Sequence, residues 1–122
     1  MIAFILNLPW TILGVLLALV SRPVSVRWHK KPYAIIFHIK YSWWAVGYMK
    51  NGRAFAIGHV VLLTPKVEDK DLEHELVHVR QYTQAPIVYP ILYYIELMRK
   101  GYRDNKYEVE AYRVAGNIYK EN

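Results

Sequence analysis

Residues 69–86 read DKDLEHELVHVRQYTQAP, and the rest of the chain is interpreted around this stretch. Leu72, Leu76 and Val79 recur at spacings of four and three, which predicts one apolar face of an α-helix. The pattern extends to about Tyr82, before the proline that closes the stretch. A helix is therefore predicted here, with its polar side chains on the opposite face.

Two histidines of this helix, His74 and His78, stand four residues apart. Residues at that spacing share one helical face, so both imidazoles can reach a single metal ion. Glu75 is rotated by one residue, which suits it to take a proton from a metal-bound water. Imidazoles combined with a carboxylate favour Zn²⁺ in a tetrahedral site with one position left for water. The alternative is a solvated helix face on which the histidines are only polar surface.

A third ligand must come from an acidic residue, because no histidine follows His78. The acidic candidates are Glu96, Asp104, Glu108 and Glu110. A further helix is predicted from Asn105 to about Tyr119, and on it Glu108 shares a face with the small residues Ala111 and Ala115, which allow close approach to the histidine helix. Glu108 is therefore the predicted third metal ligand. A capping box formed by Asn105 and Glu108 competes for the same carboxylate.

The first twenty residues, MIAFILNLPWTILGVLLALV, contain no charged side chain. As one helix they are about 30 Å long, close to the hydrocarbon thickness of a bilayer. Asn7 and Pro9 interrupt the segment, so residues 1–21 are predicted to be a hydrophobic membrane anchor, either a kinked span or a re-entrant segment. A buried core helix is the alternative. The apolar stretch Ala85–Met98 is too short to span and predicts a core or interfacial helix.

Charge is distributed unevenly along the 122-residue chain, whose formal net charge is +6. Residues 1–67 contain eight Lys or Arg and no acidic residue, whereas residues 68–122 contain all ten acids. Four basic residues directly follow the apolar segment, as expected for contacts with lipid headgroups: Arg22, Arg27, Lys30 and Lys31. Membrane lipid is therefore a predicted partner, with the remaining chain on the cytoplasmic side. No motif predicts nucleic-acid binding, and the absence of cysteine excludes thiolate chemistry.

The middle of the chain has the composition of strands. Ser21–Pro32 is predicted to be a basic connector, and Tyr33–Lys50 is rich in β-branched and aromatic residues. Asn51-Gly52 predicts a hairpin turn, after which Phe55–Leu63 continues as one strand bent at its glycine. The predicted fold class is α+β, with an N-terminal hydrophobic helix, a small antiparallel sheet, a histidine helix and a C-terminal glutamate helix.

The two metal-ligand motifs, His74-Glu75-x-x-His78 and Asn105-x-x-Glu108-x-x-Ala111, resemble those of the gluzincin metallopeptidases. The short distance between the motifs, and the strand Gly58–Leu63 ahead of them, resemble the minigluzincins. These are minimal counterparts of membrane metallopeptidases of the CAAX-protease and heat-shock-protease type. The resemblance covers roughly Ala54–Gly116. It implies that residues 22–122 are a minimal metallopeptidase domain.

The resemblance implies a peptide or protein substrate whose scissile carbonyl is polarised by zinc and attacked by a water that Glu75 activates. It also implies an edge strand that pairs with the substrate, with His59 and Val60 as substrate-binding residues, although a strand histidine is also commonly structural. The segment Gly116–Asn122 is a possible latency element. Larger relatives often carry an aspartate where this chain has Tyr112. The competing functions are a silent or latent zinc-binding membrane protein and a metal-free membrane-binding module.

Overall fold

The computed structural model describes residues 2–41, 53–68 and 70–116. The predicted α+β class is confirmed. The described elements are α1 (Ile2–Leu6), α2 (Leu8–Val20), β1 (Pro23–His29), β2 (Ala34–Ile39), β3 (Ala54–Ile57), β4 (Val60–Leu63), α3 (Asp71–Gln84), α4 (Tyr89–Asp104) and α5 (Lys106–Ala115).

The described strands form one mixed sheet in the order β1-β2-β4-β3. β1 and β2 are antiparallel, as are β3 and β4, but β2 and β4 run parallel. The prediction of a purely antiparallel sheet is therefore wrong. Strand composition indicates that a segment is extended, but it does not indicate which strand will be its neighbour.

Two predicted segment boundaries are also wrong. The basic connector contains strand β1, whose residues Ser25 to His29 pair with His38 to Ala34 of β2. The single bent strand Phe55–Leu63 is instead a hairpin, because Gly58 adopts a φ of 59° and reverses the chain between β3 and β4. Glycine adopts positive φ without the steric cost that other residues meet there. The turn predicted at Asn51-Gly52 lies outside the described residues.

The apolar N-terminal segment forms two short helices rather than one. α1 and α2 meet at Asn7, which is fully buried. α2 turns Thr11, Gly14 and Ala18 inward, and a methyl group added at Gly14 would lie 2.8 Å from Cβ of Val60. The helix therefore lies in close contact with the sheet. None of the described helices has both the length and the apolar character needed to cross a membrane.

The sheet separates two apolar clusters. On the α2 side, buried side chains of β2, β3 and β4 pack with the helix; the cluster comprises Ala18, Phe37, Ile39, Phe55, Val60 and Leu62. On the other side, α3 covers the sheet; that cluster comprises Ala34, Ile36, Val61, Leu63, Leu76 and Val79. All four residues of β4 are buried. This layer order places α3, with its two histidines, on the face of the sheet opposite α2.

The N-terminus of α3 is tied to the start of β3. The carboxylate of Asp71 accepts a hydrogen bond from the backbone N–H of Glu68 at 2.8 Å and pairs with Nε of Arg53 at 3.0 Å. Lys70, which precedes the helix, has a φ of 69°. The ion pair joins two elements that are distant in sequence and fixes where α3 begins over the sheet.

Candidate metal centre

His74 and His78 meet on the inner face of α3. Their Nε2 atoms are 3.2 Å apart, and the ring centroids are 4.9 Å apart. Both side chains are buried. The spacing of four residues thus has the consequence expected from helical geometry, because one turn aligns the two imidazoles on a common point.

Glu108 reaches the same point from α5. Its Oε1 lies 2.9 Å from Nε2 of His74 and 3.0 Å from Nε2 of His78. Ala111 and Ala115, on the same face of α5, are buried. The structure therefore brings together the three residues predicted from the sequence to be metal ligands. The small side chains of α5 face inward as predicted.

Two different side chains perform the two roles of capping α5 and contacting the histidines. Asn105 caps α5, because its Oδ1 accepts a hydrogen bond from the backbone N–H of Tyr107 at 2.9 Å. The carboxylate of Glu108 points to the histidines instead of completing a capping box. Asn105 is fully buried, and its Nδ2 donates to the carbonyl of Tyr93 at 3.3 Å. The cap therefore also joins α5 to α4.

The three ligand atoms suit a zinc ion in number, type and spacing. They lie within 4.8 Å of one another, and all three side chains are buried. Donor atoms around a tetrahedral zinc ion, with bonds of about 2.0–2.1 Å, are about 3.3 Å apart. The observed separations of 2.9, 3.0 and 3.2 Å are close to that value. Two imidazoles and one carboxylate are also a donor set that zinc accepts with a fourth position open.

The charges in the cluster are strongly coupled. Burial alone raises the pKa of Glu108, but the facing imidazoles, His78 foremost, hold it well below its usual range. Burial likewise opposes protonation of His78, yet the negative charge and hydrogen bonding of Glu108 raise the pKa of that imidazole from 6.5 to about 9. Without a metal, His78 is therefore an imidazolium paired with the Glu108 carboxylate at neutral pH.

Glu75 lies beside the cluster. Its Oε2 is 3.9 Å from Nε2 of His74, and the side chain is buried. Burial raises the pKa of Glu75 from 4.5 to about 7, with the two histidines acting in the opposite direction. The protonation state of Glu75, which lies next to His74, His78 and Glu108, therefore changes near neutral pH in the metal-free protein.

The imidazole of His78 is oriented by a network on its far side. Its Nδ1–H donates to Oε1 of Gln81 at 2.8 Å, and the hydroxyl of Tyr89 donates to the same oxygen at 2.7 Å. The amide nitrogen of Gln81 donates to the carbonyl of Tyr107 at 3.1 Å and to Oε1 of Glu110 at 2.6 Å. Because Nδ1 makes this hydrogen bond, Nε2 of His78 points toward His74 and Glu108. Hydrogen-bonding groups behind a metal-binding imidazole orient it in the same way in known metal sites.

Glu108 has its own support from α4. The hydroxyl of Tyr93 donates to Oε2 at 2.5 Å, which leaves Oε1 facing the histidines. Tyr89 and Tyr93 were not among the site residues predicted from the sequence. Their spacing of four residues places both on one face of α4 and was the available signal. Burial and the negative charge of Glu108 raise the pKa of both phenols, so they act as neutral donors.

Tyr112 lies one turn after Glu108 on α5. Its ring packs edge-on against His74, with centroids 4.2 Å apart, and its hydroxyl lies 3.1 Å from that of Tyr102. Tyr112 thus contacts a ligand imidazole through its ring. The residue limits the orientation of His74 by packing.

The structure places His59 and Val60 outside this cluster. His59 is buried; its Nδ1–H donates to the carbonyl of Tyr33 at 2.7 Å, and its Nε2 accepts from Nδ2 of Asn7 at 3.1 Å. Val60 is fully buried against Gly14 of α2. Both residues make contacts with the N-terminal helices, and their predicted role in substrate binding stays a prediction.

Comparisons with protein-family models, with curated proteins and with solved structures find no match to this chain. The geometry of the cluster and the chemistry of its donors are accordingly the basis on which its function is inferred.

Proposed function

We propose that this chain is a zinc-dependent metallopeptidase of the gluzincin type, with His74, His78 and Glu108 as metal ligands and Glu75 as general base. The proposal is carried by one observation: Glu108 of α5 reaches both imidazoles of α3 within 3.0 Å, and Glu75 stands next to them. Zinc in such a site acts as a Lewis acid and lowers the pKa of a water molecule to about 7.

Glu75 supplies the proton-transfer step. Its carboxylate accepts a proton from the attacking water and later delivers that proton to the amine released from the peptide bond. In the metal-free protein, burial raises the pKa of Glu75 to about 7. A zinc ion beside it would lower that pKa and favour the ionised carboxylate, which is the form that accepts a proton. Gln81 and Tyr93 hold His78 and Glu108 in place and take no proton.

Metal binding is tested by measuring zinc in the purified protein by inductively coupled plasma mass spectrometry. We expect one equivalent in the wild type and a near-complete loss in His78→Ala. Gln84→Ala, an exposed position on the same helix, is the matched control and should retain the metal. Equal zinc content in wild type and His78→Ala would refute the ligand assignment.

Catalysis is tested by mass spectrometry of peptide mixtures incubated with the zinc-loaded protein. We expect Glu75→Gln to keep its zinc and to lose cleavage by about 10²- to 10⁴-fold, the usual contribution of a general base. Cleavage that survives in Glu75→Gln at the wild-type rate would show that another group, or a contaminant, is responsible.

A second candidate function is a catalytically silent or latent zinc protein with the same ligands. Burial favours it, because His74, Glu75, His78 and Glu108 are only 3%, 8%, 6% and 4% exposed. The same two measurements separate the candidates: stoichiometric zinc with no cleavage by the wild type supports the silent protein. Of the segment Gly116–Asn122 that could confer latency, residues 117–122 lie outside the described residues.

A further inference from the structure

One side of the molecule exposes a broad apolar surface. Nine large hydrophobic side chains of α1, α2 and β1 are half exposed or more: Ile2, Ile5, Ile12, Leu16, Leu19, Val20, Val24, Val26 and Trp28. Single exposed hydrophobic residues are normal on proteins, but a contiguous group of this kind marks a site of interaction.

The apolar surface is continuous from the helices to the strand. The rings of Phe4 in α1 and Trp28 in β1 make an edge contact with centroids 5.9 Å apart. Trp28 and Val26 pair with Ile35 and Phe37 of β2, which pack on the α2 side of the sheet. Paired residues point to the same face, so the exposed side chains of β1 extend the surface that α2 presents.

The orientation of α2 is fixed by its inner face. Thr11, Gly14 and Ala18 face the sheet, which directs Ile12 and Leu16 away from it. α1 is fixed as well, through the buried Asn7. Its Nδ2 donates to the carbonyl of Tyr82 at 3.0 Å, and its Oδ1 accepts from the backbone N–H of Ile87 at 2.8 Å. A straight, free-standing helix over residues 2–20 would break these bonds and uncover the sheet.

The charge around this surface has one sign. Three exposed basic residues flank β1: Arg22, Lys30 and Lys31. Arg27, within β1, pairs with Ile36 and therefore points to the α3 side of the sheet. Residues 1–67 contain no acid at all. A partner that complements this face must offer apolar depth and a negative surface together, and a bilayer that contains anionic lipid has both. A second copy of the chain would bring two basic rims into contact, which is unfavourable.

We propose that the face formed by α1, α2 and β1 docks in the plane of an anionic lipid surface. Its apolar side chains enter the boundary between headgroups and acyl chains, and its basic residues contact the headgroups. The segment that the sequence suggested as an anchor acts as one wall of the folded domain and remains on the sheet. The metal cluster lies on the opposite face of the sheet and takes no part in docking, so this proposal stands independently of the hydrolase function.

Vesicle binding tests the lipid partner. Zinc-loaded protein is sedimented with vesicles of phosphatidylcholine alone or with added phosphatidylglycerol. We expect binding to the anionic vesicles to be about tenfold stronger or more, since basic residues near an anionic surface are attracted to its headgroups. We expect Leu16→Glu to weaken it by about tenfold, through loss of apolar burial and charge repulsion. Val114→Glu, on α5, is the matched control because Leu16 and Val114 are 54% and 47% exposed.

Each outcome of this experiment decides something. If the wild type fails to bind anionic vesicles, or if Leu16→Glu and Val114→Glu bind equally well, the docking proposal is wrong. If the wild type is a dimer that Leu16→Glu dissociates while vesicle binding is unchanged, the face is a self-association surface. Zinc content measured on the same samples should be equal in all three proteins, so a failure of docking is distinguishable from a failure of the metal site.

The in-plane geometry has its own test, because the chain contains no cysteine. Leu16→Cys and Val114→Cys each provide one site for an environment-sensitive fluorophore. On anionic vesicles, we expect the probe at residue 16 to shift to the blue and to be quenched more by a nitroxide near the headgroup than by one at the end of the acyl chain. The probe at residue 114 should not respond. Stronger quenching of residue 16 from the bilayer centre would indicate insertion and overturn the in-plane arrangement.

Discussion

His59 and His78 are both buried, but their electrostatic surroundings are opposite. His59 lies among neutral partners, Asn7 and the carbonyl of Tyr33, and burial lowers its pKa. His78 faces the carboxylate of Glu108, and its pKa is raised to about 9. Burial is common to both, so the charge of the neighbour determines whether the site holds a neutral ring or favours a positive charge. Only the second arrangement suits a cation.

The largest expected difference between the two histidines is the response to zinc. A ligand at a thousandfold excess over its Kd stabilises the folded state by about 4 kcal/mol, and we expect His78→Ala to lose that gain entirely. His59→Ala should lower the free energy of unfolding by about 2–4 kcal/mol, because it leaves buried polar partners unpaired and a cavity, yet keep the full zinc response. Thermal melts with zinc and with chelator measure both quantities. If zinc stabilised neither His78→Ala nor His59→Ala, the proposed difference in metal binding between the two histidines would be wrong.

The pH dependence of stability should have opposite signs at the two histidines. In the metal-free protein the pKa of His78 is raised, so its stabilising contribution is complete below pH 6.5 and is lost as the pH rises through about 9, a change of up to about 3 kcal/mol. The pKa of His59 is lowered, so its contribution is complete above pH 6.5 and is lost as the pH falls below that value.

The check is denaturant unfolding in the presence of chelator, with wild type compared at each pH with His78→Gln and with His59→Gln. The stability advantage of the wild type should shrink toward high pH in the first comparison and toward low pH in the second. Slopes of the same sign in the two comparisons would contradict the electrostatic assignment.

A smaller effect, on zinc affinity, is expected when His78 loses the hydrogen bond that orients its imidazole. Gln81→Leu removes the oxygen that accepts from Nδ1 of His78 and from Tyr89. Loss of such second-sphere contacts weakens metal binding by about 10- to 100-fold, which a competing chelator dye measures. Gln84→Leu, exposed on the same helix, should bind zinc as the wild type does. An unchanged affinity in Gln81→Leu would show that packing alone positions the imidazole.

The smallest effect is expected from the phenol that supports Glu108. Tyr93→Phe removes one hydrogen bond to the carboxylate, which corresponds to about 1.5 kcal/mol for a charged acceptor. We expect the metal-free protein to lose that amount in denaturant unfolding. Tyr94→Phe, which alters an exposed side chain, is the adjacent control. Equal stability of the two variants would indicate that water replaces the Tyr93 hydroxyl.

Local patterns predicted the cluster better than they predicted the sheet. His74 and His78 lie on one helical face because of their spacing alone, and the small residues after Glu108 indicated correctly which side of α5 faces inward. The sheet depends on pairings between distant segments. β1 carries an apolar alternation in Val24, Val26 and Trp28, but the prolines and basic residues of the segment Ser21–Pro32 suggested a connector. The parallel pairing of β2 with β4 leaves no local signal.

The supporting residues of the site were the least predictable. The position of Gln81, three residues after His78, places it on the histidine side of α3 and is consistent with its contact to that imidazole. Tyr89 and Tyr93 could not be distinguished by sequence among the eleven tyrosines of the chain. Their function depends on how α4 packs against α3 and α5, and this packing is a tertiary property that a single sequence does not display.

The close fit of α2 on the sheet has a practical consequence for anyone who trims the apolar front of the chain to obtain a more tractable protein. Cutting before residue 21 would take away Ala18, Thr11 and Asn7, and with them one entire covering of the β-sheet. The shortened polypeptide would expose Phe37 and Phe55 to water and aggregate. Detergent or lipid added to the intact chain is the better route to a well-behaved sample.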